Sequence, residues 1–502
     1  MKFKRILSFI LAILMFVPVF AACDADEPAV TPGVSDNSDT SPTGETIPPE
    51  ENGLVLDKTN LEGAVLRIHG DDGSTSYGYY ETGDIWKEED SSDPFDASVY
   101  KRAQDCINKY NFSIVYTNSA NPLADVTSMV SGGLDQVDLV FGAWSRIFPA
   151  SKAGVLYDLR EIETIDLSGE WWDQNANTEL SLANRLFYTT GELTTVDDRC
   201  TRALYFNKAL ATANNLESPY ELVRSNQWTF DKFAEMCRSV YNDVDGAGEY
   251  DEDDIVGFFY EAFQFSYFMT AMGEKIATLD ESGKPVYSYL STSEAVTKME
   301  KIAELLIDNE ATFHVNDYKN LGSFSNKWAY GRGKFAAGKH LFSVGGALVI
   351  TEFVDMEDEF GIIPMPKWTS EQDRYYHIIE TSAPLFGVPN TKTDTTDLGY
   401  MLEYFSYEGM NTVTPAYKEK MLKRRYAQDA DSADMLDIIY ASKCFDIGYV
   451  GNWNNISRLG DSSVENRKIP KMSSINRAGK NIPNLIEKEY ETLVNIGKAN
   501  TQ

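Results

Sequence analysis

Soft metal ligands are scarce in this chain: four histidines and five cysteines are spread over 502 residues. His69, His314, His340 and His377 stand far apart and no CxxC pair occurs, so neither a zinc site nor a redox dithiol is encoded locally. HExxH and GxSxG are absent, which removes the local signatures of metalloproteases and serine hydrolases. Basic charge is short as well, with 45 Lys and Arg against 77 Asp and Glu and a formal charge of -32. Phosphate would be repelled over most of such a surface, which excludes nucleic acid and anionic membrane surfaces as partners. Beyond Phe20 no apolar run is long enough to span a bilayer. Cys106, Cys200, Cys237 and Cys444 allow three disulfide pairings, but Cys106 and Cys237 fall on apolar helical faces, the ordinary place of a buried free thiol.

What is present suffices for two cores, because 502 residues exceed what one hydrophobic core serves and 43% of them are hydrophobic. The stretch from Leu186 to Leu210 organises the rest. Its apolar runs Leu186 to Tyr188 and Ala203 to Phe206 lead into Asn207 and Lys208, an extended crossing followed by a helix start. Strand and helix alternate before it and a more helical unit follows, which predicts a hinge between two lobes and a ligand cleft. At the other end of the argument, Lys2, Lys4 and Arg5 precede an apolar run from Ile6 to Phe20 and then Ala21, Ala22 and Cys23. This resembles a bacterial lipoprotein signal, which implies export and lipidation of Cys23. From Asp24 to Asn52 almost no large apolar residue occurs, so this part reads as an extended acidic tether.

The first lobe opens with a strand at Ala64 to Ile68, an amphipathic helix from Ala97 to Tyr110 carrying Val99, Ala103, Cys106 and Ile107 on one face, and a strand at Phe112 to Tyr116. The run Asp138 to Phe141 ends in Gly142, Ala143 and Trp144, so Trp144 stands where open α/β sheets face their ligands, as a contact or as a core ring. Thr229 caps a helix with Phe233, Met236, Cys237 and Val240 inward, and Trp228 beside it reads as a staple. Asp243, Asp245, Gly248, Asp251 and Asp254 have the spacing of a calcium loop. Ala247 occupies the place of an acidic ligand there, and a solvated acidic loop is the competing reading. Helical patterns cover Ala295 to Ile307 and Asn326 to Ala337. Gly333, Gly338, Lys339 and His340 lack the hydroxyl and the strand-to-helix setting of a phosphate loop. Gly345 and Gly346 read as a second crossing, and Thr381 to Thr391 as a third.

The lipoprotein start, DLVFGAW, RALYFNKAL, QWTFDKF, FAAGKHLFSVGG and FGIIPMPKW, in that order, resemble extracellular solute-binding proteins of bacterial ABC importers. More narrowly, they resemble the carbohydrate-binding family that includes maltose-binding protein, in its Firmicutes lipoprotein form. The resemblance implies an α/β, two-lobed periplasmic-binding-protein-like (type II) fold with three hinge crossovers. The boundaries expected are a signal over 1–22, lipidated Cys23 and tether over 23–57, a first lobe of 58–192 with 346–391, and a second of 193–345 with 392–502. It further implies a non-enzymatic, monomeric receptor, lipid-anchored on the outer face of the cell membrane, that binds a carbohydrate between its lobes and hands it to permease subunits. No cofactor is expected unless the acidic loop takes calcium. Trp144 and Trp453 are the implied stacking plates, with Asn452 and Asn454 for hydroxyls, and Glu192, Tyr205 and Tyr260 as further contacts. Two other classes stand against this reading: a glycan-active enzyme using paired carboxylates, and a tethered sensor for a peptide or other polar solute.

Overall fold

The computed structural model describes residues 54–499 apart from 55, 75–80, 248–253, 262, 309, 318–325, 354 and 424–429. The expected signal, Cys23, nearly all of the tether and Asp251 lie outside the described residues.

Two sheets carry the architecture. The first has Ala64–Asp71 at its centre, parallel to Phe112–Ser119 on one side and to Leu139–Ala143 on the other, with Pro384–Gly387 antiparallel at the edge. A parallel pair needs a crossover, and the helix Pro94–Tyr110 supplies it. Its ends follow from sequence: Asp93 accepts hydrogen bonds from the backbone of Phe95 and Asp96, Pro94 takes the first turn, and Asn111 ends the helix with φ 55. Val99, Ala103 and Cys106 are buried as expected, whereas Ile107 is 39% exposed. The second sheet runs Phe360–Ile363, Arg202–Asn207, His340–Gly346, Val256–Tyr260, Thr312–His314. Arg202–Asn207 is antiparallel to both neighbours, and the last three strands are mutually parallel. Asn207 and Thr229 cap the helices that follow them, Lys208–Ala213 and Phe230–Arg238.

The expected lobe boundaries are redrawn at two places. Phe360–Ile363, placed with the first lobe, pairs with Arg202–Asn207 in the second sheet. Conversely the helix Thr396–Glu408, placed with the second lobe, packs on Pro94–Tyr110, where the Tyr110 and Tyr404 rings stack at 3.7 Å. The crossings shift accordingly. The chain enters the second sheet at Thr201 and Arg202 and returns to the first at Pro384. It leaves the first lobe again between the helix Thr414–Lys423, which packs on Pro94–Tyr110, and the helix Ala430–Ala441, which packs on Phe360–Ile363. Gly345 and Gly346 are not a crossing, since the chain turns back to Phe360–Ile363 within the same sheet. Gly346 instead lets the strand end touch the first crossing: a Cβ there would meet the Arg199 carbonyl at 2.8 Å. All four described cysteines are buried and unpaired. No described helix is long and apolar enough to cross a membrane.

Candidate functional site

Parallel strands of the first sheet end at Asp71, Ser119 and Ala143, and those of the second at Tyr260, His314 and Gly346. Ligands of open α/β sheets sit beyond such ends. There the second lobe gathers charge in matched pairs. Arg202, the first residue of its strand, meets Glu380 at 2.6 Å, and its guanidinium lies 4.9 Å from the Tyr267 ring centre. Arg332, on the helix Lys327–Ala336, is held by Glu261 at 2.5 Å and Glu352 at 2.7 Å. Burial pushes the Glu261 carboxyl up while Arg332 and Arg202 pull it back. Arg458 covers the half-buried Phe263 ring at 3.9 Å. Tyr449, partly exposed, has its hydroxyl driven well up by burial, within the field of Tyr267, Asp461, Arg202 and Glu380.

The first-lobe side is smaller. Asp71 accepts from the backbone of Gly73, Thr82 meets the Tyr116 hydroxyl at 2.8 Å, and Arg146 is exposed at the start of the helix Trp144–Lys152. Beneath it, buried Asp84 accepts from Thr194 and from the backbone and hydroxyl of Thr195, fastening this lobe to the first crossing. Such an arrangement offers fixed donors, fixed acceptors and ring faces beyond the strand ends. It suits a polar ligand with several hydroxyls and some apolar surface.

Four of the residues expected to bind ligand, Trp144, Trp453, Tyr205 and Tyr260, have buried side chains. Trp144 follows its strand end as expected, but its ring is wholly buried, edge-on to Phe445 at 5.7 Å. Trp453 is also buried and donates from Nε1 to Glu489 at 2.9 Å. Asn452 and Asn454 take left-handed backbone, φ 38 and φ 53, and bond Ser457 and the Ala478 carbonyl respectively. Tyr205 donates to the Gly346 and Ala347 carbonyls, and Tyr260 to that of Leu306, each from within the core. Glu192 accepts from the Thr414 hydroxyl and borders a separate cavity of about 310 Å³ that also touches Lys443. In the acidic loop, carboxylate oxygens of Asp243, Asp245 and Asp254 lie within 4.8 Å of one another. Those carboxylates also take backbone donors from the loop itself, from Gly246, Ala247 and Val244.

No protein-family model matches the chain, and no curated protein matches its sequence. Solved structures do match, over nearly their whole length. The cyclic α-maltosyl-1,6-maltose binding protein of Arthrobacter globiformis aligns at TM-score 0.54 and 12% identity, over 86% of this chain and 99% of that one. A cyclo/maltodextrin-binding protein in complex with maltotetraose aligns at 0.53 and 14%, over 88% and 98%. The fold is that of the two-lobed periplasmic binding proteins. The maltose-binding periplasmic protein MalE of Listeria monocytogenes, in complex with maltose, aligns at 0.51 and 13%, over 85% and 98%. At these identities the likeness is one of architecture.

Sequence reasoning missed the Arg202–Glu380 and Arg332–Glu261 pairs because their members come from distant segments. One buried cation did leave a local trace. Arg102 shares the spacing of Val99, Ala103 and Cys106 on an apolar helix face. It is fully buried, donates to the Leu193, Asp84 and Ile85 carbonyls, and covers the Phe405 ring at 4.0 Å.

Proposed function

We propose that this chain is an extracellular receptor, anchored at the membrane through Cys23, that binds a carbohydrate in the interlobe cleft and presents it to an ABC permease. The observation that carries this reading is the strand-end cluster of Arg202, Glu380, Arg332 and Glu261 beside Tyr267, Phe263 and Tyr449. Each cation there has a carboxylate partner, so a neutral polyol meets donors and acceptors that are already oriented, and ring faces take its C–H surface. Matched pairs also suit binding without chemistry, since the carboxylates of Glu380 and Glu261 are each held by an arginine. The fold adds support, because aligned relatives are described as complexes with maltose and maltotetraose. Trp144 and Trp453 then serve as packing residues, against Phe445 and Glu489.

Ligand closing the two lobes raises the closed population, and a permease would read that closed shape. Calcium at Asp243, Asp245 and Asp254 belongs to the reading only as a structural ion of the acidic loop. A thermal-shift screen against mono- and oligosaccharides, with calcium and chelator arms, tests the whole. A true ligand at a hundredfold excess over its dissociation constant stabilises by about 2.7 kcal/mol. Tyr449→Ala and Glu380→Gln are expected to abolish the shift produced by the responding sugar, and Trp453→Ala to lower the baseline midpoint. If peptides shift the midpoint and no sugar does, the substrate reading fails. Product released from oligosaccharides on long incubation would overturn the non-enzymatic reading, and release of a Cys23→Ser variant from membranes is the expected sign of the anchor.

A further inference from the structure

A second concentration of charge lies away from the strand-end cleft, on the segment Ser442–Asp446. Its residues reach alternately to opposite lobes. Lys443 Nζ lies 3.1 Å from Asp173, 2.5 Å from Asp197 and 2.8 Å from Asp198. The Phe445 amide donates to Glu179 at 2.5 Å, and its ring meets Trp144. Asp173 and Glu179 bracket the first-lobe helix Gln174–Glu179, and Asp197 and Asp198 sit on the first crossing in the helix Val196–Cys200. On the other side, Asp446 accepts from the Ile276 and Ala277 amides at 2.7 and 3.2 Å. The Ser442 carbonyl accepts from the His377 amide at 2.9 Å, and His377 in turn accepts from the Met365 amide beside the second sheet.

We propose that Ser442–Asp446 is a strap tying the two lobes together behind the cleft, and that Lys443 is the positioning residue that fixes how far they stand apart. The geometry gives it that leverage, since one buried ammonium spans the first lobe, the first crossing and the strap at once. It also faces a surplus of negative charge. Glu192 from the approach to the crossing, Lys418 from the helix Thr414–Lys423 and Tyr440 from the helix Ala430–Ala441 border the same cavity of about 310 Å³. Burial opposes charge on Lys443, yet Asp197, Asp198 and Asp173 together hold its pKa well above the ordinary value. Burial likewise pushes Asp197 up to about 7 although Lys443 opposes this, and it raises Glu192. Without the ammonium the carboxylates would repel across the hinge wherever they are ionised. Acid would relieve that repulsion.

The strap is independent of which ligand the cleft takes, so it is tested on ligand-free protein. Hydrogen exchange and small-angle scattering are measured on the whole exported chain, as wild type, Lys443→Met and Lys443→Arg. At about pH 8, Lys443→Met is expected to speed exchange of the 442–446 and 276–277 amides about tenfold or more, with an increased radius of gyration and unchanged protection in both sheets. Lys443→Arg, or lowering the pH to about 5.5 with exchange expressed as protection relative to the intrinsic amide rate at that pH, restores both readouts. If Lys443→Met does not fold, Lys443→Gln, which keeps a donor and removes the charge, is expected to give the same local acceleration at about pH 8. Exchange that is unchanged, or that rises uniformly through both sheets without rescue by arginine or acid, overturns the proposal.

Discussion

Asp138 at the start of an inner strand of the first sheet and Asp197 at the hinge are both buried aspartates with cations at contact distance, yet their protons are held in opposite senses. Asp138 has two cations, Arg67 at 2.6 Å and Lys392 at 2.5 Å, shared with one more exposed carboxylate, Asp135, and they overrule burial and lower its pKa. Asp197 shares one lysine with Asp173 and Asp198, and burial wins, pushing it up to about 7. Burial alone therefore does not set the sense of the shift. The ratio of countercharge to carboxylate does, and the ratio favours rigidity at the sheet and adjustability at the hinge. Removing the better-compensated carboxylate should do the larger damage. Asp138→Ala leaves two cations with only the more exposed Asp135 as partner, and the expected loss is about 3 kcal/mol, read from urea unfolding. That is the lower end for a broken buried pair, because the Arg67 side chain is 31% exposed and can regain water.

The two residues also bound stability from opposite sides of the pH scale. A carboxyl with a lowered folded pKa contributes stability above its unfolded value of 3.8, and loses it as pH falls through the folded value. A carboxyl raised to about 7 holds its proton more tightly folded than unfolded, so stability falls as pH rises from 3.8 through about 7. Asp461, buried and bonded to Ser266, is pushed up to about 7 as well, by burial, and acts in the same direction. Asp197→Asn is accordingly expected to raise the thermal midpoint most at about pH 8, less at about pH 5.5, and to leave it unchanged only at about pH 3, below the unfolded value. A midpoint lowered equally at all three pH values would break the comparison.

Local sequence signals located the elements well, because caps and strand runs are local chemistry. Thr229 before Phe230 and Asn207 at the end of its strand both fall at helix starts, whereas the helix read from Ala97 begins earlier, at Pro94. What the sequence does not carry is the direction a side chain turns once lobes pack. The backbone of Trp144 stands at a strand end, as the pattern DLVFGAW implies, but Phe445, three hundred residues on in order of magnitude, claims its ring. The pairs Arg202–Glu380 and Arg332–Glu261 are invisible for the same reason. Gly345 and Gly346 misled because close backbone approach looks alike at a crossing and beside one. Only Arg102 was within reach, as a charge in an apolar helical stripe.

The weakest countercharge marks the far end of the scale. Lys101 and Asp105 stand four residues apart on the helix Pro94–Tyr110 and pair across its surface, with the Lys101 side chain 61% exposed. Water already solvates that ammonium, and holding two long side chains in one geometry costs rotamer freedom, so such a pair contributes roughly 0.3–0.5 kcal/mol. Asp105 has a second cation nearby, Lys109 at 3.7 Å, which keeps it compensated when Lys101 is lost. Lys101→Ala is therefore expected to change the urea midpoint by less than about 0.5 kcal/mol, with no change in its pH dependence. A loss approaching that of Asp138→Ala would mean that exposure, rather than the ratio of charges, had been misjudged as the lesser variable.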